Sequence, residues 1–147
     1  MIYCIFGQPG SGKTTISSSL RERLKKLYGR CMEVIVIDGD VLREIFDNQN
    51  YGAKGRISNI NSANTIATFL NHLGYEVIIA LVNPYDDLRK MLKKSNPKDC
   101  KFIYLHSDRL LRKEFHVSDF EVPKDPDLTL DTSNLTLNAC VNKIIDL

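Results

Sequence analysis

Eight consecutive residues near the start of the chain carry a recognisable chemistry. Gly7-Gln8-Pro9-Gly10-Ser11-Gly12-Lys13-Thr14 spells G-x-x-x-x-G-K-T. Glycines let a backbone turn tightly and bring its N–H groups close to an anion. Those amides and the N-terminus of a following helix make a nest of partial positive charge for phosphates. In this pattern the Lys13 ammonium reaches the β- and γ-phosphates of a nucleotide and the Thr14 hydroxyl holds Mg²⁺. The cradle runs from Gly7 to Thr15, so ATP with Mg²⁺ is the expected ligand. The plainer alternative is a glycine turn that only caps a helix.

A second constellation follows at Asp38-Gly39-Asp40 with Arg43. A carboxylate beside such a loop can accept a proton from an attacking hydroxyl, or orient Mg²⁺ and its waters. Lys13, Asp38 and Asp40 are the candidate catalytic groups, with Asp40 favoured over Asp38. Thr14 and Asp40 are the candidate metal ligands. Arg43 lies in the first turn of a helix, where a guanidinium can hold an anionic acceptor bidentately. Either aspartate also suits a helix N-cap.

These residues need a frame that brings them together. Ile2-Tyr3-Cys4-Ile5-Phe6 is a short apolar run before the loop and reads as a buried strand. Ile16, Leu20, Leu24 and Leu27 recur on one face of the helix after it, which Gly29 stops. Further strands are expected at Glu33–Ile37, Val77–Val82, Lys101–Leu105 and Leu128–Leu130. Helices are expected after Asp40 and over Ile57–Leu73, Asp86–Lys94 and Leu135–Ile145. Continuous apolar strands alternating with helices argue an α/β, three-layer fold. About five parallel strands would carry helices on both faces. Ligands then bind at the carboxyl ends of the strands. The loop, Asp38/Asp40, Asn83-Pro84-Tyr85 and His106-Ser107-Asp108-Arg109 all fall at such ends and should meet on one rim. Val117–Asp127 has little periodicity and reads as a surface loop.

The 147 residues suffice for one domain. A net charge of +2 is too small to argue for nucleic acid or membrane. The basic clusters at Arg21–Lys26 and Arg89–Lys94 read as solvated helix faces. Cys4, Cys31, Cys100 and Cys140 show neither metal-ligand nor redox spacing. Cys4 and Cys140 read as buried structural residues. A reducing, cytoplasmic setting is expected, since the first strand begins at residue 2 and leaves no room for a leader. His72, His106 and His116 have no partner pattern and read as structural or exposed.

With these segments in view, the chain resembles the adenylylsulfate kinase family of P-loop kinases over nearly all its length. Asp38-Gly39-Asp40 with Arg43 matches the family's D-G-D-x-x-R. Arg56, Asn59 and Ile60 match an R-x-x-N-I segment, and Tyr51 stands where the family stacks an aromatic on the acceptor adenine. Asn83-Pro84-Tyr85 with Arg89 resembles S-P-Y…R. Arg109, Arg112 and Phe115 overlie the start of the family's lid. Phe120-Glu121-Val122-Pro123 and Leu128-Thr129-Leu130-Asp131-Thr132 resemble Y-E-x-P and L-x-L-D-T. The resemblance implies a P-loop NTPase fold and a single kinase domain over 1–147, with lid and surface loop at about 107–127. It also implies transfer of the γ-phosphate of ATP to the 3′-hydroxyl of adenylylsulfate in sulfate assimilation. Asp40, Arg43, Tyr51, Arg56, Asn59, Asn83, Pro84 and Tyr85 would bind that acceptor, and Arg109 and Arg112 would close over ATP. The expected partner is a small anionic nucleotide, and a homodimer stays open.

The chain departs from the family pattern where the acceptor binds. Asn83 replaces a serine sometimes assigned as a phosphorylated intermediate, so transfer should be direct. An arginine pair becomes Asn61-Ser62. The lid is about ten residues short. Two other readings therefore stand beside the main one: a P-loop kinase for another small hydroxyl acceptor, and a nucleotide-binding protein without acceptor activity.

Overall fold

The computed structural model describes residues 1–29, 33–108 and 112–147. Five strands, β1 (Ile2–Phe6), β2 (Val34–Asp38), β3 (Glu76–Leu81), β4 (Cys100–His106) and β5 (Leu128–Asp131), form one sheet in the order β2-β3-β1-β4-β5. Every pairing is parallel. Among the described residues there are five α-helices: α1 (Lys13–Tyr28), α2 (Gly39–Ile45), α3 (Ala53–His72), α4 (Asp86–Ser95) and, after the last strand, α5 (Leu137–Ile145). This is the α/β architecture expected from the alternation of apolar runs and helical stripes.

Side-chain alternation along the strands divides the core into two layers. Ile2, Cys4 and Phe6 of β1 face one layer with Val77, Ile79 and Leu81 of β3, covered by Ile60, Ala63 and Ala67 of α3 and Leu88 and Leu92 of α4. Tyr3 and Ile5 face the other with Ile78 and Ile103, covered by Ile16, Leu20 and Leu24 of α1 and Cys140, Val141 and Ile144 of α5. Burying each such aliphatic side chain stabilises the fold by about 1.5–3 kcal/mol. β1 and β3 are buried along their whole length because both faces are covered. The register sets Phe6 beside Leu81 and Tyr104, and Asp38 beside Ala80. Three carboxyl ends therefore finish nearly level.

Several boundaries and faces differ from expectation. α3 begins at Ala53, four residues before the apolar stripe starts at Ile57. Its first turn packs backbone to backbone: a Cβ at Gly55 would sit 1.8 Å from the Asn50 carbonyl oxygen. No apolar residue is needed there, so periodicity did not mark it. α5 begins at Leu137 rather than Leu135 because the Thr136 hydroxyl accepts from the Ala139 amide at 3.2 Å. Leu27 is exposed and leaves the face shared by Ile16, Leu20 and Leu24. Arg89, expected on a solvated face, is 4% exposed. Its guanidinium donates to the carbonyls of Asn83 at 2.7 Å and Glu121 at 2.9 Å and lies 5.0 Å from the Phe6 ring centroid. The 117–127 segment does lack helix and strand, but Val117 is buried and Phe120 stacks on Tyr104 at 6.0 Å. It is the surface loop expected, anchored on the sheet end as a strap by these two residues.

Candidate active site

The turn between β1 and α1 is shaped for an anion. Gly12 caps α1 in the left-handed region at φ 92°, and no side chain caps the helix. The first ladder bond runs from the Ile16 amide to the Gly12 carbonyl at 3.0 Å. The amides of Lys13, Thr14 and Thr15 precede that ladder and point out of the helix N-terminus. The loop is held from below. The Gly7 amide donates to the Val82 carbonyl at 3.3 Å, and the Thr132 hydroxyl donates to the Ser11 carbonyl at 3.1 Å. Thr132 belongs to the L-D-T segment, so that distant signature braces the phosphate loop.

Lys13 lies half-buried under the loop, donating to the carbonyls of Gly7 and Gln8, each at 2.9 Å. Burial lowers its pKa to about 8. Asp40 and Asp38 pull it up and Arg112 pushes it down, so these three charges share its neighbourhood. Asp38 caps α2, accepting from the Asp40 amide at 2.9 Å, while its other oxygen accepts from the Thr14 hydroxyl at 3.2 Å. The carboxylate paired with Thr14 is thus Asp38, whereas the sequence pointed to Asp40. Asp40 is exposed on the same rim.

The opposite wall of the cleft is made of side chains that hold one another. Arg43 is 8% exposed; it donates to the carbonyls of Asn48 at 3.1 Å and Asn50 at 2.9 Å, and its guanidinium lies 4.5 Å from the Tyr51 ring centroid. Tyr51 itself is exposed. Arg56 faces Asp119 at 3.8 Å, and the Tyr85 hydroxyl donates to the same carboxylate at 3.0 Å. Asn59 donates to the Gly39 carbonyl at 3.1 Å, fixing α3 against α2. Asn83 is buried at φ 45°, with its amide nitrogen 3.6 Å from the Cys4 sulfur. Burial pushes the Cys4 thiol up to about 12, so it is an inert neighbour.

One cleft of about 890 Å³ joins the two walls, a volume in the range of small-molecule sites. Pro9, Gly10, Gly12, Lys13, Thr14 and Thr15 line it on the loop side. Asp38, Asp40, Arg43, Tyr51, Arg56, Asn59, Asn83 and Pro84 line it on the other, with Arg112. Gly7, Gln8, Ser11 and Tyr85 stand behind this lining. Ser107 and Asp108 do not reach it; both are tied to the Ser133 hydroxyl instead, at 3.1 and 2.8 Å. Arg109 lies outside the described residues. Asn61 and Ser62 fall in a separate shallow recess beside Phe46.

The model for the Adenylylsulphate kinase family matches residues 1–116. The chain belongs to the adenylylsulphate kinase family. An adenylyl-sulfate kinase of Phocaeicola vulgatus is 31% identical, over 96% of this chain and 78% of its own length. A cytidine diphosphoramidate kinase of Campylobacter jejuni is 38% identical, over 63% of this chain and 55% of its own length. Among solved structures, the Mycobacterium tuberculosis APS kinase in complex with AMPPNP and APS superposes with a TM-score of 0.86 at 20% identity. That superposition covers 99% of this chain and 95% of the other.

The family match ends at residue 116, just before the strap, and there the sequence signals were weakest. Glu114, Phe115, His116 and Val117 all line the cleft, yet none belongs to a periodic element. Lys113–Phe115 is a single 3₁₀ turn. His116, read from sequence as structural or exposed, is exposed with its ring 3.1 Å from the Pro9 carbonyl oxygen.

Proposed function

We propose that this chain transfers the γ-phosphoryl group of ATP to the 3′-hydroxyl of adenylylsulfate, giving 3′-phosphoadenylylsulfate and ADP. The observation that carries the reading is the single cleft in which Lys13 and the α1 amides face Asp38 and Asp40. A polyphosphate on the amides would place its terminal phosphorus beside a carboxylate and an arginine-lined wall. Lys13 exchanges its two carbonyl partners for phosphate oxygens. Asp40, exposed at the rim, accepts the proton of the attacking hydroxyl. Arg56 and Arg112 neutralise charge on either side, and Tyr51 offers its ring to the acceptor base. Asn83 has no hydroxyl, so transfer is direct.

The paired oxygens of Thr14 and Asp38 fit Mg²⁺, a hard cation that takes oxygen ligands. When bound, Mg²⁺ neutralises phosphate charge in the transition state. Catalysis otherwise rests on positioning and on excluding water. The whole chain acts as one kinase domain with residues 107–127 as its lid. Among the described residues no helix is long and apolar enough to cross a membrane, and a cytoplasmic site of action belongs to the same reading. Val41, Ile45 and Phe46 expose apolar surface on and just after α2, which supports a homodimer testable by sedimentation.

A second reading is favoured by two observations: the cytidine diphosphoramidate kinase is 38% identical over 63% of this chain, and the arginine wall here is already engaged internally. The acceptor would then be the hydroxyl of another small nucleotide. Steady-state assays with MgATP and a panel of adenylylsulfate, cytidine diphosphoramidate, nucleosides and sugars decide between them. The highest kcat/KM with adenylylsulfate supports the first reading, and preference for the cytidine compound supports the second. ATP binding with no phosphorylated product removes both.

A further inference from the structure

Position 8 is unconstrained by the phosphate-loop pattern, which asks only for a backbone there. The side chain placed at it is nevertheless committed. The Gln8 amide nitrogen donates to the Val117 carbonyl at 2.9 Å, and the Val117 amide donates back to the Gln8 side-chain oxygen at 2.9 Å. One side-chain amide thus imitates a strand neighbour across 109 residues of chain. Val117 is 5% exposed, so its backbone groups have little access to water as a substitute. The adjacent His116 ring meets the Pro9 carbonyl oxygen at 3.1 Å, a second stitch on the same loop. Five residues upstream, Arg112 lines the cleft and acts electrostatically on Lys13.

We infer that the Gln8 side chain is a positioning residue: a latch that seats the 112–117 segment on the phosphate loop and so holds Arg112 over the donor phosphates. The inference rests on the donor half of the proposed function. The latch sets nucleotide affinity and the exclusion of water, while the part of the strap that serves the acceptor wall has its own anchors, Arg56 and Tyr85 on Asp119. The bonds of the Gln8 side chain go to Val117 and not to the reacting atoms, so its effect is transmitted through Val117 and Arg112.

Two variants test it in the full chain. Gln8→Met keeps side-chain length and removes both hydrogen bonds. Gln8→Glu keeps the acceptor for the Val117 amide and loses the donor. Measured quantities are MgATP KM, acceptor KM, the ratio of ATP hydrolysis to transfer, thermal midpoint, and hydrogen exchange of the Val117 amide without nucleotide. Gln8→Met should raise the MgATP KM roughly ten-fold, raise the hydrolysis ratio, expose the Val117 amide to exchange and leave the acceptor KM within about two-fold. Gln8→Glu should retain protection of that amide while still weakening MgATP. A purely structural role would lower the thermal midpoint in both and leave the MgATP KM where it was, which overturns the proposal. So does an unchanged MgATP KM with Val117 still protected in Gln8→Met. If Gln8→Met does not fold, an unaltered MgATP KM in Gln8→Glu overturns it alone. Wild-type protein that binds no MgATP sinks the donor reading itself. The amide exchange, measured without nucleotide, would still show whether the latch exists.

Discussion

The two walls of the cleft are built on different principles. The donor wall is local and backbone-made: Gly7–Thr15 is one continuous stretch, and its amides face outward because the α1 ladder starts only at Ile16. The acceptor wall is assembled from side chains on α2, α3, the β3–α4 turn and the strap, and these satisfy one another. Arg43 holds the 48–50 carbonyls and stacks on Tyr51; Arg56 and Tyr85 share Asp119. A polyphosphate meets unsatisfied amides on the first wall. An anionic acceptor must displace existing partners on the second. Affinity for the donor should therefore be set by the loop, while acceptor choice is set by competition among charges.

The sharpest break comes at the donor wall. Lys13→Ala removes the ammonium beneath the loop and should lower transfer by about 10³-fold, with fold and far-ultraviolet dichroism unchanged. A variant retaining a tenth of wild-type kcat/KM would mean the amides suffice without it. Next comes the carboxylate facing both walls. Asp40→Asn should lower kcat by about 10²–10⁴-fold with little change in MgATP affinity. Asp38→Asn should instead weaken the dependence on Mg²⁺, since Asp38 is the carboxylate bonded to Thr14. Swapped phenotypes would exchange the two roles.

Two smaller effects sharpen the contrast. The Lys13 pKa is lowered to about 8, chiefly by burial. Phosphate binding favours the charged ammonium, so above pH 8 a proton must be taken up when nucleotide binds. MgATP affinity should fall as pH rises through 8, by up to tenfold per unit, and calorimetry in buffers of different ionisation enthalpy should register proton uptake. A pH-independent affinity between 7 and 9.5 would contradict that assignment. On the acceptor wall, Asp119→Asn relieves Arg56 of its partner while an amide can still accept from Tyr85. Asp119 is exposed and the pair is 3.8 Å apart, so the gain is small: an acceptor KM lowered about two- to five-fold. A raised acceptor KM would mean Asp119 organises Arg56 rather than competing for it.

The same contrast explains what could be read from the chain alone. The donor loop, the five parallel strands and the two buried layers follow from contiguous patterns: glycine spacing, apolar runs and helical stripes. Asp38 and Asp40 were placed at the rim because β2 ends there. Their division of labour was not legible, since it depends on the Thr14 hydroxyl meeting one oxygen of Asp38. Arg89 looked like one charge in a basic cluster because burial of a guanidinium depends on distant carbonyls at Asn83 and Glu121. The start of α3 escaped because Gly55 packs through its missing side chain. The strap escaped for a related reason: its anchors at Gln8, Arg56 and Tyr104 are far away in sequence, and no period connects them.

The most direct test follows the phosphorus. Purified chain is incubated with Mg²⁺, adenylylsulfate and ATP labelled in the γ-phosphate, and the product is identified by phosphorus NMR and mass spectrometry. The label should appear as a phosphomonoester on the acceptor's 3′-hydroxyl, in equal amount with ADP. ATP converted only to ADP and inorganic phosphate, at a rate indifferent to the acceptor, would contradict the account.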